Sequence, residues 1–481
     1  MTSVRPAADV PDPSVGDLLA AWLPGRRWFP AGGASGADVR VEPWLAVTFD
    51  DDVGAGDPAG GGADVVVLLA RLRGAGVPGG GVVAQVPLVL TDPADRGPGF
   101  IADVRTAAGA VAVHDGGEHP ACWLTLLRAS GVGDGVDGAA LTAGGRVVAG
   151  EQSNTSVVLP GLPSPDGTGG MLKILRTVTP GPHPDVVVPR ALTRAGWDGV
   201  PRFLGALQVP TPAPEPADDP PSSTSPQQLT TLAVLSELVP QAADGFELAC
   251  DHARQGESFA HLAADLGRVV AELHAVLRQA MPPGPMLDPS RFVAGLRTRA
   301  ALAVAEAPAL APREAEIEAL LTDLEHRLPR LRLQTVHGDL HLGQALHGET
   351  GWKLIDFEGE PQRPVIERTA PDLPLRDVAG MVRSFAYAAA VGGAPDPAWE
   401  AEAVHAFLAR YRGSAAPVAL RGLSSAAPAD LDPPTADAVL AALVLDKALY
   451  EVVYETRQRP RWVHIPLAAV DRVLDRARRA R

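Results

Sequence analysis

The chain has 481 residues, of which 46% are hydrophobic and 21% are charged, and this length predicts two or three packed units. Its 42 basic and 57 acidic residues give a net charge of −15, which disfavours binding to nucleic acid or to an anionic membrane. We find no apolar run that could span a bilayer and no signal-peptide core, and the two distant cysteines fit a reducing compartment. We therefore expect a cytoplasmic protein.

The first half of the chain is predicted to be rich in β-strands. After a short amphipathic helix over residues 14–29, apolar runs alternate with turns. The predicted strands are Trp44–Phe49, Val65–Leu72, Val82–Leu90, Arg146–Ala149, Ser156–Leu159, Met171–Leu175 and Leu232–Leu238. One helix, Asp185–Arg194, lies between the last two strands. The Pro- and Ser-rich segment Val209–Gln228 is predicted to be a flexible excursion between two strands.

The second half is predicted to be helical from Gly245 onward. The predicted helices are Ser258–Arg278, Ser290–Ala305, Glu314–Leu328, Trp399–Arg412 and Thr435–Arg457. A short β-like block, Thr335–Glu360, interrupts them and forms a small hairpin that carries the polar residues. The pattern predicts an α+β, two-lobed fold. We place its parts at residues 1–130, 131–240 and 241–481.

The β-like block contains the residues that phosphoryl transfer requires. A His-Gly-Asp triplet at 337–339 precedes Gln344, and an apolar strand then ends in Asp-Phe-Glu at 356–358. The protein-kinase motif H-R-D-x-x-x-x-N followed by D-F-G has the same Asp-to-amide spacing. Each piece alone is more typical of a turn or a strand-end cap, but their order and spacing favour a kinase. The predicted catalytic residues are Asp339, as base, and His337, and the predicted Mg²⁺ ligands are Gln344 and Asp356.

A kinase also needs groups that hold the ATP phosphates. The sequence has no G-x-x-x-x-G-K-[ST] loop, but Glu151–Ser156 offers hydroxyls, an amide and N–H groups between two strand-like runs. Lys173 lies among apolar residues of a predicted strand. It is either an edge lysine whose ammonium reaches solvent or a phosphate-binding lysine, and the downstream motif favours the second.

Several motifs together resemble the maltokinases, which are aminoglycoside-phosphotransferase-like kinases. They are HGDLHLGQ, IDFEGEP, PLRDVAGM, EQSNTSVV, PGPHPDV and DKALYEVVYE, and the resemblance extends from about residue 14 to Leu467. It implies a eukaryotic protein kinase-like fold with an N-terminal cap, an intermediate subdomain and a helical lobe that binds sugar. It also implies transfer of the ATP γ-phosphate to maltose, giving maltose 1-phosphate for glycogen or α-glucan synthesis. Association with trehalose synthase is expected by family analogy only.

The resemblance also implies the binding residues. The nucleotide residues are Ser153, Asn154, Thr155 and Ser156 in a phosphate loop, the phosphate lysine Lys173, and the hinge from Glu237 to Val239. On the C-terminal helix, Lys447, Tyr450, Glu451, Tyr454 and Arg457 recur at three- and four-residue steps and so share one face. With Trp462 they would bind the sugar, although an amphipathic packing helix would show the same pattern. Arg376 and Asp377 are predicted to form ion pairs near the catalytic loop.

Two positions depart from the maltokinase pattern. Val187 stands where related sequences have a glutamate that pairs with the phosphate lysine, so that Lys173 needs Asp185 or the nucleotide as its partner. The segment 27–33 in the cap lacks a lysine usual in the family.

Two alternatives to a maltose kinase stay open: a kinase for another sugar or amino sugar such as glucosamine, and a nucleotide-binding regulatory pseudokinase.

Overall fold

The computed structural model describes residues 2–7, 13–30, 39–49, 63–74, 77, 81–106, 109–148, 153–212, 227–360, 368–413 and 431–480. It confirms the predicted α+β class, with sheets in the first half and helices in the second. The chain forms two compact units: Met1–Val187 with Pro201–Val239, and Val188–Val200 with Pro240–Arg481. The predicted cap and most of the predicted intermediate subdomain thus belong to one compact unit.

Seven strands of the first unit form an antiparallel sheet. They are β1 (Thr2–Pro6), β2 (Val39–Phe49), β3 (Asp64–Gly74), β4 (Gly81–Thr91), β5 (Phe100–Thr106), β6 (Gly109–Asp115) and β10 (Thr177–Val178). Their order is β1-β2-β3-β4-β6-β5, and β10 pairs with β4. Strand β3 is apolar on both faces: Leu68 and Leu72 pack with helix α1 (Pro13–Trp22), and Val67 and Leu69 pack with a second sheet.

The second sheet of this unit has five strands. They are β7 (Arg146–Val147), β8 (Asn154–Leu159), β9 (Gly170–Leu175), β11 (Phe203–Pro212) and β12 (Gln227–Glu237), in the order β11-β12-β9-β8-β7. The prediction for Val209–Gln228 was wrong at both ends, because Pro212 pairs with Gln227 in a strand ladder; residues 213–226 lie outside the described residues. The helices of this part are α2 (Pro120–Ala129) and α3 (Gly138–Thr142). Helix α4 (Pro184–Arg194) begins in the first unit, and its residues from Val188 onward belong to the second.

The second unit is built from helices around a core that includes Phe259, Phe385 and Phe407. The helices are α5 (Gly245–Gln255), α6 (Ala260–Ala280), α7 (Pro289–Glu306), α8 (Glu314–Arg327), α9 (Leu375–Gly392), α10 (Trp399–Gly413), α11 (Pro433–Gln458) and α12 (His464–Ala480). Five agree with the prediction to within about two residues, and α5, α9 and α12 were not predicted. Among the described helices, none has the length and apolar character needed to cross a bilayer.

The polar motif lies on the hairpin that was predicted within the helical half. Strands β14 (Ala345–Gly348) and β15 (Gly351–Leu354) pair with each other, and β13 (Ala243–Asp244) adds to β14. The register sets Ala345 opposite Leu354, and the N–H of Ile355 donates to the Gln344 carbonyl at 3.0 Å. This pairing brings Gln344 and Asp356, twelve residues apart, to the same end of the hairpin.

Candidate active site

The catalytic loop is held by a buried carboxylate from helix α9. One Asp377 oxygen accepts the backbone N–H of His337 at 2.9 Å, and the other accepts that of Gly338, also at 2.9 Å. Gly338 has φ +88°, and a Cβ there would lie 3.2 Å from the carbonyl oxygen of Arg368, so glycine suits this position. Asp377 therefore fixes the backbone immediately before Asp339.

Asp377 is kept ionised by its hydrogen bonds. Burial would raise the pKa of this carboxyl, but the hydrogen bond and charge of His274 and the N–H of Gly338 lower it below its ordinary value. His274 Nε2 lies 2.9 Å from Asp377, and its Nδ1 lies 3.0 Å from the Tyr411 hydroxyl. The prediction that Asp377 is an ion-pairing residue near the catalytic loop is confirmed, and His274 and Tyr411 extend the network.

The side chain of His337 takes part in this support. It is 1% exposed, its Nε2 donates to the Ile355 carbonyl at 2.9 Å, and its ring lies against Phe357 with centroids 4.7 Å apart. A ring that is enclosed in this way does not face an acceptor hydroxyl. We therefore correct the prediction that His337 is a catalytic group: the geometry gives it a positioning role between the two motifs.

Asp339 lies beside a lysine from helix α11. The Lys447 ammonium is 3.2 Å from Asp339 Oδ1 and 2.7 Å from Glu360 Oε1. Burial alone would lower the pKa of Lys447, but the carboxylates of Asp339 and Glu360 raise it above its ordinary value, so this lysine stays charged. Sequence reasoning missed Glu360, although it lies only four residues after Asp356 in the IDFEGEP motif.

The predicted metal ligands are in contact. Gln344 Nε2 donates to Asp356 Oδ2 at 3.1 Å, which leaves the amide oxygen of Gln344 for another partner. Carboxylate oxygens of Asp356 and Glu358 lie within 4.8 Å of each other. Asp356 has φ +64°, a left-handed conformation that is uncommon for a non-glycine residue and often found at functional sites. These hard oxygen donors fit Mg²⁺.

In the first unit, Lys173 has a carboxylate partner. Its ammonium lies 2.8 Å from Asp185 Oδ2, and both side chains are largely buried. Val187, which stands at the family's usual glutamate position, is 37% exposed on the same helix. Asp185 is therefore a carboxylate partner for Lys173, and the loss of the glutamate no longer argues for a pseudokinase.

The predicted phosphate loop is shorter than expected. Asn154, Thr155 and Ser156 are buried residues of strand β8, where Ser156 pairs with Lys173 in the ladder. Asn154 accepts the backbone N–H of Arg176 at 3.1 Å, and Thr155 accepts its Nε–H at 2.8 Å. We correct their placement from loop to strand; Ser153 precedes the strand, and residues 151–152 lie outside the described residues.

The predicted hinge begins where strand β12 ends. The N–H of Glu237 donates to the Arg202 carbonyl at 2.8 Å, and the carboxylate accepts the N–H of Asp166 at 3.1 Å. Leu238 N–H donates to the Gly169 carbonyl at 3.1 Å. The N–H of Glu237 is thus occupied, and its predicted backbone contact with adenine stays a prediction. Val239 follows directly and stays a candidate.

The predicted sugar face of helix α11 divides in the structure. Lys447, Tyr450 and Tyr454 lie together: the ammonium is 5.2 Å from the Tyr450 ring, and the two tyrosine rings are stacked at 6.5 Å. Burial raises the pKa of Tyr450 to about 12, so that its hydroxyl stays protonated and can donate a hydrogen bond.

Three other residues considered for the sugar site, two on helix α11 and Trp462 beyond it, have different partners. Glu451 is buried and accepts Nε–H of Arg383 at 2.8 Å, which corrects its assignment to the sugar site. Arg457 is exposed and pairs with Glu306 at 2.7 Å. The Arg459 guanidinium lies over the Trp462 ring, 4.4 Å from its centroid, so one face of this ring is already covered by Arg459.

Comparisons with known proteins agree with this chemistry. Residues 202–423 match the profile of the phosphotransferase enzyme family. The protein is a phosphotransferase. The match agrees with the predicted resemblance to aminoglycoside-phosphotransferase-like kinases. The finer resemblance to maltokinases stays a prediction.

Two curated proteins similar to this chain are glucosamine kinases. That of Mycolicibacterium smegmatis is 28% identical over 351 residues, which are 69% of this chain and 80% of the relative. That of Streptacidiphilus jiangxiensis is 30% identical over 300 residues, 57% of this chain and 62% of the relative. This chain therefore matches somewhat less than two thirds of the second relative's length.

Solved structures support the fold. A glucosamine kinase crystal structure matches with a TM-score of 0.57 over 96% of this chain and 99% of that one, at 23% identity. A glucosamine kinase in complex with glucosamine, ADP and inorganic phosphate gives a TM-score of 0.54 over 95% of this chain and 98% of that one, at 22% identity. The prediction of a protein-kinase-like α+β fold is confirmed.

Proposed function

We propose that this phosphotransferase transfers the γ-phosphate of ATP to a hydroxyl of a small amino sugar of the glucosamine type. The observation that carries the proposal is a charged pocket beside Asp339 in the second unit. It is lined by Gly338, Asp339, Leu340, Glu360, Arg376, Gly380, Leu443 and Lys447. The proposal corrects our order of preference, which put maltose first, because the relatives found are glucosamine kinases.

Two carboxylates, Asp339 and Glu360, line the pocket beside Lys447. Asp339 and Glu360 share the single ammonium of Lys447. Arg376, the other cation in the lining, is already bound by Asp372 and by Asp446, the latter at 3.1 Å. A protonated amine on the acceptor would be attracted to the carboxylate oxygens of Asp339 and Glu360 that line this pocket.

The proposed reaction roles follow from the second unit's geometry. Asp339 orients the acceptor hydroxyl and takes its proton, while Asp377 and His337 hold the loop. Gln344 and Asp356, with Glu358 nearby, would hold Mg²⁺, which when bound neutralises charge on the phosphates. We propose no covalent intermediate on the protein.

In the first unit we propose that Lys173 binds phosphate oxygens. Asp185 keeps its ammonium charged and oriented at 2.8 Å. Ser153, just before strand β8, and the start of that strand would supply further donors, and the backbone at Val239 would meet adenine. These assignments retain the predicted nucleotide set, with Asn154, Thr155 and Ser156 placed on a strand instead of a loop.

Maltose is the second candidate, and one observation favours it. The stacked rings of Tyr450 and Tyr454 beside Lys447 offer a planar apolar surface of the kind that a neutral sugar ring covers. The proposed links to glycogen synthesis and to trehalose synthase depend on this candidate and not on the first.

A comparison of acceptors tests the proposal. Phosphate transfer from ATP·Mg²⁺ is measured with glucosamine, glucose, N-acetylglucosamine and maltose. We expect kcat/KM to be highest for glucosamine, because glucose lacks its amine and N-acetylglucosamine lacks its charge. Preference for maltose over glucosamine would contradict the amino-sugar proposal and support the second candidate.

The variant Glu360→Gln tests the charge argument with little change of shape. We expect it to lower the preference for glucosamine over glucose by about 10- to 150-fold, corresponding to roughly 1.5–3 kcal/mol for a hydrogen bond to a charged group. The control Glu349→Gln removes a carboxylate from the exposed β14–β15 turn. An unchanged preference in Glu360→Gln would remove Glu360 from amine recognition.

A further inference from the structure

A buried arginine joins the two sheets of the first unit. Arg176 lies between β9 and β10, where the chain leaves the five-stranded sheet and enters the seven-stranded sheet. It is 1% exposed and among the largest fully buried side chains of the described residues. We propose that Arg176 is a positioning residue through which the N-terminal sheet sets the phosphate-binding end of strand β8. This inference rests on the proposed use of ATP.

On one side, Arg176 holds the start of strand β8. Its Nε donates to Thr155 Oγ1 at 2.8 Å, and its backbone N–H donates to Asn154 Oδ1 at 3.1 Å. These two residues come directly after Ser153, at the end of the proposed phosphate-binding segment. Lys173 precedes Arg176 by three residues on β9 and pairs in register with Ser156.

On the other side, Arg176 is bound to the N-terminal sheet. Its Nη2 donates to both Asp115 oxygens, at 3.0 and 3.1 Å, and its guanidinium lies 4.4 Å above the Trp28 ring. Its carbonyl accepts the N–H of Gln85 at 2.8 Å. A Cβ on Gly117 would lie 2.1 Å from Nη2, so a glycine leaves the space that the guanidinium occupies.

Stability alone is a weak reason for this arrangement. A buried ion pair often contributes no more to stability than well-packed apolar residues of similar volume. A planar guanidinium, however, fixes several partners in one geometry, which the flexible ammonium of lysine does not. Arg176 thus gives the hydroxyl of Thr155 a fixed position relative to Asp115 and Trp28.

The consequence concerns phosphate binding and not adenine binding. A substitution of Trp28 should shift the Arg176 guanidinium and with it Thr155, which would displace the hydrogen-bond donors at the start of β8. ATP should then bind more weakly, whereas adenosine, which lacks phosphates, should bind as before. A purely structural role would instead lower the melting temperature and leave the ratio of the two affinities unchanged.

The test uses substitutions on both sides of Arg176 that leave the buried ion pair intact. Thr155→Val removes the hydroxyl on strand β8 that accepts Nε–H of Arg176, and Trp28→Leu removes the ring beneath the guanidinium. Thr211→Val is the control for the first, because Thr211 has a buried hydroxyl bonded to Thr230 at 2.6 Å in β11. Trp44→Leu is the control for the second, because Arg71 lies 4.4 Å over the Trp44 ring in the same sheet.

Dissociation constants for ATP·Mg²⁺ and for adenosine are measured by calorimetry on the full chain, with melting temperatures alongside. We expect Thr155→Val and Trp28→Leu each to raise the dissociation constant for ATP·Mg²⁺ by about tenfold, on the scale of one lost hydrogen bond to a charged group. The dissociation constant for adenosine should not change. In the two controls, the ratio of the ATP to the adenosine dissociation constant should equal that of the wild type. If this ratio is also unchanged in Trp28→Leu, the inference is overturned. A wild-type protein that binds ATP no more tightly than adenosine overturns the proposed function, and the inference with it.

Discussion

The substitution Asp377→Asn tests how the catalytic loop is held. One Asp377 oxygen receives hydrogen bonds from His274 and His337, and the other receives the N–H of Gly338. An asparagine amide has one acceptor oxygen and one donor nitrogen. In either orientation of the amide, its NH₂ group faces a backbone N–H that now lacks an acceptor.

The magnitude follows from that count. One hydrogen bond to a charged group is lost and one buried N–H is left unsatisfied, which together lower the free energy of unfolding by about 3–5 kcal/mol. For a unit of this size the melting temperature should fall by about 10 °C. The catalytic loop also loses its backbone anchor next to Asp339, and a displacement of about 1 Å there should lower kcat by about 10²-fold.

The pH dependence gives a second readout. The pKa of Asp377 is lowered in the folded protein, so its stabilising contribution is fully present above the ordinary carboxyl pKa of 3.8 and is lost as the pH falls through the lower folded value. The stability difference between wild type and Asp377→Asn should therefore be constant near neutral pH and shrink in acid.

Calorimetric melting curves and steady-state kinetics at several pH values measure these effects. The control is Asp323→Asn, which removes a carboxylate from an exposed i, i+4 pair with Arg327 on helix α8. If Asp377→Asn melts and turns over like that control, the buried carboxylate does not hold the loop.

Three further outcomes are expected. Asp185→Asn removes the partner of Lys173 and should raise KM for ATP by about tenfold; unchanged kinetics would show that this pair does not serve nucleotide binding. Glu451→Gln leaves Arg383 buried beside a neutral amide and should lower stability by about 3 kcal/mol with acceptor KM unchanged; a large rise in KM would return Glu451 to the sugar site. Gln344→Ala should raise the Mg²⁺ concentration needed for half-maximal rate, and an unchanged magnesium requirement would exclude Gln344 as a ligand.

Local spacing made part of the site predictable. Asp339, Gln344 and Asp356 lie within eighteen residues on one hairpin, so their order in the sequence carries most of their geometry. The same motif could not reveal which way His337 turns, because its ring is directed by the carbonyl of Ile355 and by packing on Phe357.

Contacts between distant residues were beyond sequence reasoning. Lys447 reaches Asp339 across 108 positions, and Arg176 reaches Asp115 across 61. Helical spacing placed Glu451 on the sugar face, but its burial depends on Arg383 from another helix. The Pro- and Ser-rich composition of Val209–Gln228 predicted a flexible segment, but the two ends of this segment belong to paired strands.

The central claim, that Asp339 activates a sugar hydroxyl for attack on ATP, is tested most directly by Asp339→Asn. Transfer of phosphate to glucosamine and binding of ATP·Mg²⁺ are measured side by side in this variant and in the wild type. We predict a loss of about 10²- to 10⁴-fold in kcat with ATP binding retained, as expected when a general base is removed. A near-normal rate in Asp339→Asn would contradict the account.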